Sequence, residues 1–287
     1  MTAAPAIAQP FIFEPIESCL CMAAGRGPGS LLDDTYAIGV TILTLLTGQV
    51  PCQGMSDEEV LKAKLSKGSY AALAQQARIT LTVMEALRGL LNDDPQERWT
   101  LEDLGMWANG RRGSPIQQAV ESRAARSYSF MNKDHYTCRE LAQTMSKNWD
   151  MAINIIRDGS VDTWLRRTLG DDAKVNAMNE AKTVPADMDT DDNLVARYCI
   201  ALDSAAPIRY RGFHANVDGF AIFIAMHGES SGTRNEFAQI MQYNLLGFWD
   251  QCQLRTRVEY VGLYRDLRRG REVMTRTNTG EGTERVI

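Results

Sequence analysis

The sequence predicts a mainly α fold carrying one small β-hairpin. Apolar residues recur at helical spacing along most of the 287-residue chain. Capping residues and glycine or proline stops bracket those runs. One short stretch of alternating runs gives the only β signal of any strength. No repeat of fixed period is apparent, so a regular solenoid is not expected.

The first element lies in "DDTYAIGVTILTLLTGQVP", residues 33–51. After Asp34 no charge interrupts the helix expected over residues 34–47 before Gly48, which predicts a helix buried on nearly every side. Gly48 tolerates a left-handed cap, and Pro51 cannot continue a helix. Ser56 opens a second helix, with Asp57, Glu58 and Glu59 against its positive end and Val60, Leu61 and Leu65 as its stripe. Thr80 caps a third, in which Val83, Met84, Leu87, Leu90 and Leu91 keep the helical period. Thr100 starts a fourth, with Leu101, Leu104 and Trp107 expected inward, stopping at Asn109-Gly110.

Residues 114–126 have few large apolar side chains and read as a linker. In "YSFMNKDHYTC" two short alternating runs flank Asn132-Lys133-Asp134, the hairpin signal. Thr137 and Glu140 form a capping box for a helix carrying Leu141, Met145 and Trp149. "DMAINIIRDGS" continues or restarts it as far as Gly159, and Ser160 caps another with Val161, Trp164, Leu165 and Leu169. An acidic joint at 183–192 precedes a last helical region, 193–287. There Phe237, Ile240, Met241, Leu245, Phe248 and Trp249 form the clearest stripe. The divisions expected are therefore 1–113, the linker 114–126, a hairpin-plus-helix module 127–182, the joint 183–192, and 193–287.

Composition narrows the function. Hydrophobic residues make up 44% and charged residues 23%, the profile of a folded chain. A net charge of −5 argues against bulk nucleic-acid binding. The longest apolar runs fall short of the roughly 18–20 residues that span a bilayer, and no basic-then-apolar leader opens the sequence. A cytoplasmic protein with reduced thiols and no membrane association is expected. The six cysteines lack metal-ligand spacing, and Cys19-Leu20-Cys21 has no second pair to complete a zinc site.

Residues 34–109 resemble the lower half of the C-lobe of eukaryotic-type protein kinases, helices F to I. In that family Asp-x-(Trp/Tyr)-x-x-Gly-Val begins the F helix, which ends in Leu-Thr-Gly-x-x-Pro. Here the positions are Asp34, Tyr36, Gly39 and Val40, then Leu46, Thr47, Gly48 and Pro51. The family's Leu-Leu-x-x-Asp-Pro-x-x-Arg-x-Thr is matched by Leu90, Leu91, Asp94, Pro95, Arg98 and Thr100. The resemblance implies that Arg98 pairs with the glutamate of Ala-Pro-Glu, for which Glu17 in "PIE" is the candidate. It implies that Asp34 accepts hydrogen bonds from a catalytic-loop backbone. Yet the strand lysine, His-Arg-Asp, Asp-Phe-Gly and glycine-rich strands of an active kinase are missing from the sequence. Residues 127–169 resemble, less specifically, a small helical element that accompanies kinase-like and other signalling domains in bacteria.

Other patterns are set aside. "GRGPGS" (25–30) lacks the Gly-Lys-Ser/Thr of a phosphate loop. In "DMDTDD" (187–192), Asp192 stands where an EF-hand needs glycine. His135, His214 and His227 lack partners at metal-ligand spacing. Carboxylates interrupt the basic run at 265–272, a solvated helix face rather than a phosphate stripe. No catalytic residue, cofactor or metal ligand is assigned.

The expectation is a non-catalytic, pseudokinase-like signalling protein acting through protein contacts. A protein partner or a second copy would cover the F helix. The alternative is a fragment of an active serine/threonine kinase whose N-lobe and catalytic loop lie outside this chain.

Overall fold

A computed structural model describes residues 5–253, except 76, 112–121, 169 and 228–229, together with residue 269. Residues 114–121 of the expected linker, Leu169, and the basic run at 265–272 apart from 269 lie outside the described residues. So does nearly all of 193–287 beyond residue 253.

Among the described residues the first part holds six α-helices: α1 (Ile16–Leu20), α2 (Leu31–Thr47), α3 (Asp57–Lys67), α4 (Ser69–Ala74), α5 (Leu81–Leu90) and α6 (Leu101–Ala108). Capping boxes start three of them, at Ser30 with Asp33, Ser56 with Glu59, and Thr100 with Asp103. Gly48 ends α2 with φ 68°, the left-handed cap expected of it. Tyr36, Val40 and Leu43 from α2 meet Leu87 and Leu91 at the end of α5 in one core. Gly39 permits that crossing, because a Cβ there would sit 2.9 Å from the Leu90 Cβ.

A hairpin follows, β1 (Tyr128–Phe130) and β2 (Lys133–His135). Then come α7 (Cys138–Lys147), α8 (Trp149–Arg157), α9 (Ser160–Thr168), α10 (Asp172–Lys182) and α11 (Asp191–Leu202). A second hairpin, β3 (Ile208–Tyr210) and β4 (Phe213–Ala215), leads to α12 (Phe220–His227), α13 (Ser231–Gln242) and α14 (Leu245–Gln251). Both hairpins join three-residue antiparallel strands across a two-residue turn, Tyr128 facing His135 in the first and Ile208 facing Ala215 in the second. Side chains from both sides of residues 183–192 share one core, including Leu141, Met145, Trp164, Tyr198, Tyr210 and Phe248.

The two parts interlock through glycine. A Cβ on Gly219 would lie 2.0 Å from the Gly25 carbonyl oxygen, so the backbones touch there. Asn216 N–H donates to that same carbonyl (2.9 Å), and Met22 N–H donates to the His214 carbonyl (3.0 Å). A Gly219→Ala variant is expected to lose about 1–3 kcal/mol of stability, since backbone cannot rotate out of the clash. Urea unfolding with a wild-type midpoint would contradict this.

Four expectations are corrected. Helix α2 is not buried on nearly every side: Leu31 is 68% exposed, Leu45 78% and Leu46 54%. Its buried face is the stripe Thr35, Tyr36, Gly39, Val40 and Leu43, because no described element lies across the other side. Leu101 of α6 points outward and no residue of α6 is fully buried, although Trp107 donates to the Thr82 carbonyl at 3.2 Å. A second hairpin exists beside the one expected. Its strands are buried on both faces, with His214 alone half-covered, because Arg209 on the polar side is itself buried against Asp203. Finally, Trp149 opens α8 instead of continuing α7, since the non-helical backbone of Asn148 (φ −130°, ψ 56°) ends the helix there.

Candidate functional site

The strongest constellation lies under α2, at the joint between α1 and the loop after α5. Arg98 Nη2 donates to Glu17 Oε1 at 2.7 Å across 81 residues of chain, and Arg98 Nε donates to the Asn92 carbonyl at 2.9 Å. The Arg98 side chain is fully buried and that of Glu17 nearly so. Burial pushes the Glu17 carboxyl above the ordinary carboxylate range, against the pull of Arg98. Pro15 sets the start of the one-turn α1 that carries Glu17.

Tyr36 forms the floor. Its ring lies 5.4 Å from the Arg98 guanidinium and 4.9 Å from Lys64 Nζ, so two cations share one aromatic ring. Lys64 is fully buried and donates to the carbonyls of Phe11 (2.5 Å) and Glu14 (2.7 Å). Its ammonium thereby clamps the segment before α1 onto α3, and burial lowers its pKa. Glu14 pairs with Arg26 nearby.

The residues singled out in the sequence divide by role. Glu17, Tyr36 and Arg98 converge here, whereas Gly39 lies against Leu90 and Leu91 at the end of α5. Asp94 accepts from the Gln96 backbone N–H at 2.8 Å and, with Pro95, shapes the turn that delivers Arg98. Asp34 sits exposed in the first turn of α2, in a favourable place for a negative charge. Leu31, Ile38, Thr41 and Leu45 line the same exposed face, with Ile38 half-covered.

Sequence reasoning missed several charged residues. Lys64 could have been found, because it falls on the apolar stripe of α3 between Leu61 and Leu65. Arg139 gave no such signal, since it reads as an ordinary position in the first turn of α7. Its guanidinium reaches Asp93 after α5 at 3.2 Å and Asp203 after α11 at 3.6 Å. Asp203 also pairs with the fully buried Arg209 of β3 at 3.3 Å. Arg139 thus ties the first part of the chain to the second.

Cys19, Cys138 and Cys199 are buried thiols, and Cys21, Cys52 and Cys252 are partly buried. Burial pushes Cys19 and Cys199 up to about 12 and Cys252 up to about 11. Among the described residues no group of three or more His, Cys, Asp or Glu side chains could hold a metal ion, and no helix is long and apolar enough to cross a membrane.

No family model, curated protein or solved structure matches the chain. The residues and their geometry therefore carry the functional argument.

Proposed function

We propose that the chain is a non-catalytic, pseudokinase-like interaction protein that works through protein contacts at the uncovered face of α2. The observation that carries this reading is the buried Glu17–Arg98 bond. It joins the two segments that the kinase resemblance pairs, and neither composition nor local periodicity required them to meet. Supporting it, Gly39 lets α5 cross α2, and Asp94-Pro95 forms the turn before Arg98. The residues that handle ATP in an active kinase have no counterpart in the sequence.

Leaving large aliphatic side chains in water costs roughly 1.5–3 kcal/mol each relative to burial. A partner protein or a second copy that covers Leu31, Leu45 and Leu46 gains that energy. Mg-ATP is expected to leave the melting temperature unchanged, because a ligand that binds the folded state raises it. A clear shift would overturn the non-catalytic reading. The L45K/L46K variant is expected to weaken association at this face at least tenfold, about 1.4 kcal/mol. Sedimentation of the chain across a concentration series reads self-association. Identical behaviour of wild type and variant, together with equal partner capture, would sink the contact assignment.

One observation favours a second reading, a fragment of an active serine/threonine kinase. Exposed Asp34 stands at the end of the uncovered face, where the resemblance places the backbone of a catalytic loop. Upstream sequence encoding Val-Ala-x-Lys, His-Arg-Asp and Asp-Phe-Gly in the same reading frame would favour it.

A further inference from the structure

Away from α2, a cleft of about 480 Å³ opens between residues 125–127 and α9. Arg126, Ser127, Thr163, Trp164, Arg167 and Thr168 line most of it, and no carboxylate does. That volume falls within the range of small-ligand sites.

Its walls are fixed. The Trp164 indole N–H donates to the Arg126 carbonyl at 2.8 Å, tying that segment to α9. The Tyr128 and Ser160 hydroxyls lie 2.5 Å apart and hold the start of β1 to the start of α9. Trp164, 7% exposed, packs its ring 5.6 Å from that of Tyr128 at a tilt of 51° and gives the cleft an apolar floor.

The charge of the cleft is unbalanced. Arg126 and Arg167 are exposed and form no ion pair among the described residues. Arg123 and Arg166 flank them, and each engages a neutral group: the Tyr136 ring at 4.4 Å and the Asn179 side-chain oxygen at 3.3 Å. Asp158 and Asp162, just before and on α9, each have other partners. Asp158 accepts from the Ser160 backbone N–H at 2.8 Å, and Asp162 pairs with Lys182 and Tyr198. The Thr163 hydroxyl donates to the Gly159 carbonyl at 2.9 Å, and that of Thr168 to the Trp164 carbonyl. Donors offered to a ligand are therefore the two guanidinium forks and the Ser127 hydroxyl. In a chain of net charge −5, such a concentration of positive charge is not a composition effect.

We infer that this cleft binds a small phosphate-bearing anion, held by the forks of Arg126 and Arg167 against the Trp164 floor. Guanidinium groups suit phosphate because they match its oxygens two at a time. The assignment does not depend on the kinase C-lobe resemblance, since none of these residues lies in the stretch 34–109 that carries it.

Calorimetric titration of the chain with sodium pyrophosphate, at constant ionic strength balanced with sodium chloride, is expected to show one saturable site. R126Q/R167Q should weaken it at least tenfold, while R78Q, at an exposed arginine outside the cleft, should leave it unchanged. Because Arg126 and Arg167 are both exposed, the double variant should keep the wild-type melting temperature. Should it melt early, R126Q and R167Q singly read the same loss of affinity. No saturable binding, or equal affinity in wild type and both single variants, would overturn the assignment.

Discussion

Replacing Arg98 with alanine is expected to cost about 3–5 kcal/mol of folding stability, because it strands the Glu17 carboxylate inside the protein. The pair sits out of water, with Arg98 wholly covered, so solvent cannot compensate either charge once its partner is gone. E17Q should be milder: its amide still accepts from Arg98 and only the charge is lost. E17L/R98L should recover much of the single-variant loss, since an apolar pair of similar volume often replaces a buried ion pair at little cost. Urea unfolding followed by circular dichroism supplies all three numbers. A loss for R98A below about 1 kcal/mol would show that the bond does not hold α1 to the loop after α5.

Acid is expected to loosen the same molecule from the other side, through His214. Its ring faces the Leu20 carbonyl, with Nδ1 3.3 Å away, and sits opposite Arg209 in the β3–β4 ladder. Burial, and next the Arg209 charge, lower its pKa from 6.5 to about 4. The unfolded chain then takes up a proton near pH 6.5 while the folded chain does not until about pH 4. Stability is therefore complete above pH 6.5 and is lost as pH falls through that window, by about 3 kcal/mol in all. Glu17 acts with the opposite sign, because its carboxyl is pushed upward and protonation relieves a buried charge. The difference between wild type and H214Q, read from unfolding at pH 7 and pH 4.5, isolates the histidine. An H214Q curve with the same acid slope as wild type would refute the assignment. The contact at stake is the one by which Leu20, Met22 and Gly25 lie against β4 and the turn after it.

Most helices were legible because their signals are local. Ser56, Thr100 and Thr137 cap helices with the glutamate or aspartate three residues on, and a cap needs nothing from the rest of the chain. The β1–β2 hairpin was legible for a similar reason: its one exposed face imposes alternation. β3–β4 alternates as well, in Ile208-Arg209-Tyr210 and Phe213-His214-Ala215, but its polar side is covered, Arg209 lying buried against Asp203, and no local pattern shows that. Helices α10 and α4 escaped for want of a strong apolar stripe, only Met178 and Ala181 being buried in α10.

The Glu17–Arg98 bond was legible only through a resemblance, since nothing in the spacing of two residues so far apart requires them to touch. Arg139 had no signal at all. Its two carboxylates come from the ends of α5 and α11, which meet only after the helices have packed.

The sequence by itself determined a mainly helical chain and where most of its helices begin and stop. Caps and periods are properties of neighbouring residues, and survive without a fold. Tertiary structure decided which face of α2 is bare, which charges are buried together, and where arginines stand without carboxylates. Those depend on contacts between residues far apart in the chain, and burial is what turns such a contact into energy.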